Sequence, residues 1–288
     1  MTEHSARPLC AVHLDLDGYT DICRVHGWTA QTRRDALNQS GMYNALEFFA
    51  KHNIRATMFA IAQDVRSAAK AENLRDAISA GHEIGSHSIT HRKLTELNSA
   101  EKRKEIADSK SMLEQALGVR VRGFRAPEFA IDAEALRLLE SEGYGFDSSL
   151  FPNRKTPARP HIVHPGGTLM ELPLPAHSPL PLPFHPSYSL VLGNWYFKTG
   201  LRQSIRQRLP LVLLFHLTDF ADPVPDQDLP NWTAGVYTLS FLSQAEKLRR
   251  CTAMLEFVQR HYRIVSTTEF IESQAGHTEE ALKAGNRA

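Results

Sequence analysis

Apolar positions along the chain follow two alternating periods. Residues 10–16 place Val12, Leu14 and Leu16 on one side of a period-two run, while Met42, Ala45, Leu46 and Phe49 share a face of a helix predicted over 42–52. The exchange repeats with a strand over 54–61, a helix over 73–80 and a short strand over 82–88. Asn98 and Glu101 stand in capping-box relation and open a helix whose Ile106, Lys110, Leu113 and Leu117 form a mostly apolar stripe, ended by Gly118. A strand over 119–124 follows, then a helix capped by Asp132 and carrying Ala135, Leu136 and Leu139, then a short strand ending at Phe146 and Asp147. Strands that each pass into their own helix predict a mainly parallel sheet.

The rhythm breaks between residues 152 and 186, which hold ten of the sixteen prolines. Proline lacks the N–H that a helix needs, so an irregular excursion is predicted there, with a strand over 168–174 inside it. Beyond it, 195–208 reads as a helix and 211–217 as the most apolar strand. A long helix then repeats Leu242, Ala245, Leu248, Leu255 and Val258 on one face before a last strand over 263–266. No internal repeat or heptad run appears, so the pattern predicts one barrel-like α/β domain over residues 8–272. Residues 1–7 and 273–288 are expected to fray.

Composition narrows the function classes. The 33 Lys and Arg nearly balance the 32 Asp and Glu, so there is no basic field to gather nucleic acid, and a small or neutral partner is expected. No stretch approaches the roughly 20 apolar residues of a membrane span, and no leader-like apolar run opens the chain, so no transmembrane segment and a cytoplasmic location are expected. Cys10, Cys23 and Cys251 lack CxxC spacing and read as small buried residues. Oligomeric state is not legible. GxGxxG, GxxxxGK[ST] and GxSxG are all absent, which removes the common dinucleotide, phosphate-loop and serine-hydrolase readings.

Two motifs carry chemistry. His87-Ser-Ile-Thr-His91 follows a strand and turn, and histidines four apart on a helical turn point the same way, so both imidazoles are able to reach one ion. Taken alone, the pair is more often a set of solvated turn histidines. Asp15-Leu-Asp17-Gly18 closes the first strand, where barrel-like α/β folds gather reactive groups; alternation sends Asp15 and Asp17 to one side. A strand ending in an Asx-type turn is the plainer alternative.

Together with Arg125-Ala126-Pro127, the Asp147-Ser148-Ser149 run and Leu213-Leu214-Phe215-His216, these motifs resemble, in order, the polysaccharide deacetylases of the NodB-homology type, the fourth family of carbohydrate esterases. The resemblance spans about residues 12–220. Glu128-Phe129 after the arginine motif and the Glu171-Leu172-Pro173 run are similar to the exopolysaccharide-biosynthesis branch, although Leu217-Thr218-Asp219-Phe220 departs from that branch's usual H-P-W-E-F.

The resemblance implies an irregular (β/α)7-type barrel and metal-assisted hydrolysis of an N-acylated amino sugar, with N-acetyl as the first expectation. It implies one divalent ion on Asp17, His87 and His91, with Zn2+ first and Co2+, Ni2+ or Mn2+ as alternatives. Asp15 is then the base, Arg125 the group that keeps it ionised, His216 the acid, and Asp147 either the residue orienting His216 or a strand-end carboxylate. Glu128, Phe129 and Phe220 are expected around the substrate. Deformylation of a lipid-linked amino sugar, opening of a ureide or imide ring, and sugar binding without catalysis are the competing readings. Trp195, Tyr196 and Trp232 are expected as core or rim aromatics.

Overall fold

Leu9–Asp15 forms β1, buried almost throughout, which is why its sequence is a near-continuous apolar run rather than a clean alternation. The computed structural model describes residues 7–32, 35–153, 155–177 and 183–274; the ends expected to fray lie almost wholly outside these. In chain order the strands are β1, β2 (Thr57–Ala60), β3 (Glu83–Ser86), β4 (Gly123–Phe124), β5 (Phe146–Asp147), β6 (His161–Ile162), β7 (Met170–Glu171), β8 (Leu211–His216) and β9 (Arg263–Val265). The helices are α1 (Tyr19–Val25), α2 (Ala36–Lys51), α3 (Ala68–Ser79), α4 (Ser99–Arg103), α5 (Ser109–Leu117), α6 (Ala133–Ser141), α7 (Pro186–Leu192), α8 (Asn194–Arg206), α9 (Trp232–Tyr237) and α10 (Gln244–His261).

The strands join in the order β6-β7-β5-β4-β3-β2-β1-β8, and β9 adds to β1. All pairs are parallel except β6–β7. The sheet curls into the expected irregular α/β barrel. Side chains on one face, Ala11, Phe59, Val212 and Leu214, gather into an inner cluster. Their neighbours on the other face, Val12, Leu14, Met58, Leu213 and Phe215, pack in an outer layer with apolar helix residues such as Phe49, Leu113 and Leu255. Truncating a fully buried residue such as Phe215 to alanine costs about 3–5 kcal/mol.

Several boundaries differ from the sequence pattern. The strands predicted over 119–124 and 168–174 shrink to two residues each, β4 and β7, and α3 starts at Ala68 rather than near 73. The short helices α1, α7 and α9 had no predicted counterpart, because six or seven residues display too few turns for a period to show. The predicted capping box is present at α4, where Asn98 Oδ1 accepts the Glu101 N–H at 3.0 Å. The single helix expected behind it is interrupted by a π-turn over Lys104–Asp108 before α5 resumes and ends at the left-handed Gly118.

Candidate active site and metal centre

Strand register places the polar side chains. Asp15 and His216 are direct cross-strand partners at the ends of β1 and β8. Ser86 faces Phe124 across β3 and β4, so the next residues, His87 and Arg125, leave the sheet side by side. His87 Nδ1 lies 2.8 Å from the Arg125 carbonyl. A carbonyl only accepts, so Nδ1 carries a proton and Nε2 is the nitrogen turned into the site.

That nitrogen lies 3.1 Å from Asp17 Oδ1, and His91 Nε2 lies 2.9 Å from the same oxygen. The three potential ligand atoms lie within 4.8 Å of one another. Asp17 Oδ1 and His91 Nε2 are buried without a hydrogen-bond partner, an arrangement costly unless something of positive charge sits between them. Two imidazole nitrogens and a carboxylate are a donor set that suits a divalent transition ion, so the residues fit such a group. Burial works against a charged His87 ring, yet the Asp17 carboxylate lifts it to about 9. Asp17, although burial pushes it up, is held well below the usual carboxylate range by the His91 and His87 rings. A cation entering here displaces those protons.

The segment from His87 to His91 is not the helical turn that its spacing suggested. It is an irregular loop with Ser88 and His91 in the left-handed region, at φ 64 and 56. Such conformations cost on the order of 1–2 kcal/mol each for non-glycine residues and persist only where surrounding bonds impose them. Ser88 Oγ accepts the His91 N–H at 3.1 Å, and the Ser88 and Ile89 carbonyls accept N–H groups from Ala62 and Gln63. Glu105, buried on the π-turn, accepts the N–H groups of Ile89 and Thr90 at 2.8 and 3.0 Å. Sequence reasoning missed Glu105; the interruption of a helix is not visible as a pattern.

Asp15 is almost fully buried, its Oδ2 3.8 Å from Arg125 Nη1 and 3.9 Å from His216 Nε2. Arg125 is wholly buried in the barrel, with Nη2 2.7 Å from His13 Nδ1 and 3.2 Å from Ser148 Oγ, and its guanidinium lies over the Phe59 ring. Burial first, and the Arg125 charge second, push His13 well below its ordinary range, so the ring is neutral and accepts from Arg125. Its other nitrogen therefore donates to Thr267 Oγ1 at 3.2 Å. His13 is a second residue that the motifs did not mark.

The structure does not bring Asp147 to His216. Asp147 Oδ1 accepts the Ser149 hydroxyl at 2.7 Å, and Ser149 Oγ in turn accepts the Ala126 N–H at 2.8 Å, so this element braces the Arg125 loop. His216 Nδ1 instead meets Ser187 Oγ at 3.0 Å. Phe220 is also displaced from its expected place around the substrate. It is fully buried among Phe48, Phe49 and Phe215, because the turn after β8 points it into the outer core. Glu128 and Phe129 do line the cleft beside Asp17, His91 and His216, a space of about 480 Å³. Both adopt positive φ, 52 and 57. Tyr188 and Tyr237 form part of the same wall, whereas Trp195 and Trp232 stand out on the surface.

The polysaccharide deacetylase family model matches residues 34–146. A bifunctional xylanase/deacetylase of Pseudobutyrivibrio xylanivorans is 32% identical over 87 residues, 30% of this chain and 14% of that protein. A peptidoglycan deacetylase of Helicobacter pylori is 25% identical over 147 residues, covering 48% of this chain and half of the relative. The matches thus span half or less of these curated relatives' length. Among solved structures, an allantoinase superposes with a TM-score of 0.65 at 15% identity, covering 93% of this chain and 90% of that one. A Mycobacterium smegmatis structure assigned as a polysaccharide deacetylase gives 0.58 at 19% identity, covering 84% and 86%. At these identities the superpositions speak for the barrel fold, while the family model, matched over residues 34–146, makes that part of the chain similar to the polysaccharide deacetylases.

Proposed function

We propose that the protein is a metal-dependent hydrolase that removes an N-acyl group, N-acetyl in the first instance, from an amino sugar of a glycan or lipid-linked saccharide. The observation that carries this reading is the convergence of Asp17, His87 and His91 beside an Asp15–His216 pair 3.9 Å apart. A divalent ion, Zn2+ foremost, would be held by those three residues and would supply Lewis acidity towards water and the acyl carbonyl.

The remaining work falls to the chain. Asp15, with Arg125 Nη1 3.8 Å from its Oδ2, takes the proton of the attacking water. His216 gives its Nε2 proton to the departing nitrogen, so the C–N bond breaks to a carboxylic acid and a free amine. Glu128, Phe129 and the tyrosine wall position the substrate in the cleft. The cytoplasm is the proposed location. Among the described residues no helix is long and apolar enough to cross a membrane.

The test is to strip the protein of metal, reload it separately with zinc, cobalt, nickel and manganese, and offer N-acetylated and N-formylated sugars. Mass spectrometry of the released acid decides. Acetate supports the reading, formate moves it to the deformylase alternative, and sugar bound without any acid released overturns it.

A further inference from the structure

His216 is held at its back by a group that no motif marks. Ser187 opens the first turn of α7, 29 residues away along the chain, and its Oγ lies 3.0 Å from His216 Nδ1. We propose that Ser187 is the positioning residue of the general acid, accepting the Nδ1–H of His216 and so aiming Nε2 at Asp15 and the departing nitrogen. This rests on His216 being the acid.

The surroundings require such an acceptor. An imidazolium carries two N–H groups, and if Nε2–H is to be given away, Nδ1–H needs a partner of its own. Asp15 from β1 stands at the Nε2 side. The His185 ring, 5.0 Å from that of His216, is held well below its ordinary range, first by burial and then by the His216 and Arg125 charges, so it is a neutral neighbour. Behind the serine sits Asp219, a fully buried carboxylate that the hydrolysis leaves unused. Its Oδ2 accepts the His216 backbone N–H at 2.9 Å, while its Oδ1 has no partner. The Ser187 hydroxyl, having accepted from His216, has one proton to donate, and the Asp219 carboxyl lies within its reach. Lys247, also fully buried, donates to the Ala221 carbonyl at 2.9 Å and balances the Asp219 charge.

The experiment compares wild type, Ser187→Ala and Ser187→Thr as zinc-loaded proteins, with penta-N-acetylchitopentaose as the probe. Removing one hydrogen bond to a charged group should lower kcat about 10- to 100-fold in Ser187→Ala, with KM and bound zinc unchanged. Ser187→Thr, which keeps the hydroxyl, should recover most of the loss. Wild-type kcat in Ser187→Ala, or equal losses in both variants, would overturn the proposal. Nitrogen NMR of the histidine rings needs no substrate: His216 Nδ1 should show a hydrogen-bonded N–H that Ser187→Ala abolishes. If wild type releases no acetate, the deacetylase reading fails, while an Nδ1 signal unchanged by the substitution sinks the positioning role by itself.

Discussion

Glu105 grips Thr90 with both carboxylate oxygens, Oε2 on its N–H at 3.0 Å and Oε1 on its hydroxyl at 2.5 Å, and so holds the loop that carries His87 and His91. Because the Ile89 N–H shares Oε2, one side chain satisfies three donors of a loop with two left-handed residues.

Glu105→Gln retains the shape but sets an NH2 group against a donor. The expected outcome is a loss of about 2–4 kcal/mol in stability and a 10- to 100-fold weaker hold on zinc. Denaturant unfolding and a competitive zinc titration measure the two. An unchanged zinc affinity would show that the loop keeps its conformation without this brace.

Adding zinc should stabilise the fold, by about 2.7 kcal/mol when free zinc is 100 times Kd. Asp17→Ala and His91→Ala should lose that thermal shift, while His216→Ala should keep it and lose turnover about 100- to 10,000-fold. Calorimetry with and without zinc separates the roles, and a full zinc shift in Asp17→Ala would remove that residue from the ligand set.

Arg125 spreads one guanidinium over Asp15, His13 and Ser148, a geometry that a single ammonium does not reproduce. Arg125→Lys should therefore cost about 100-fold in kcat even though the charge is kept. Steady-state kinetics at saturating substrate checks this; a loss confined to KM would place Arg125 in substrate binding instead.

Lys247 predicts an alkaline gain in stability. Burial, the largest influence, lowers it to about 8 against an ordinary 10.5. Below about 8 it is protonated in both the folded and unfolded chains, and the cost of burying the charge is fully present. Between about 8 and 10.5 the unfolded chain binds more protons than the folded one, so stability rises with pH, by up to about 3 kcal/mol. Lys247→Met should remove that rise. Denaturant midpoints of both proteins at pH 7 and pH 9.5 supply the comparison, and parallel changes in the two would refute it.

Much of the architecture was legible because it is written in local periods. The apolar run ending at Asp15, the Asn98–Glu101 cap, the Asp132 cap and the Leu211–His216 strand are set by neighbours a few residues away. The convergence of Asp17, His87 and His91 was legible for a related reason: Asp17 follows a strand end and the two histidines share one motif, so few placements are open to them.

What only the tertiary structure decided depends on how separate segments meet. A spacing of four residues is common to a helical turn and to the loop that His87 and His91 occupy, and bonds from Ala62, Gln63 and Glu105 select the loop. Whether Asp147 or Ser187 stands behind His216 turns on the path of the proline-rich excursion, which returns to the barrel as α7 beside β8. Phe220 points into the core rather than the cleft because the turn after β8 packs it among Phe48, Phe49 and Phe215. Burial and long-range hydrogen bonding are properties of the folded chain, and a linear pattern contains only the residue types that make them possible.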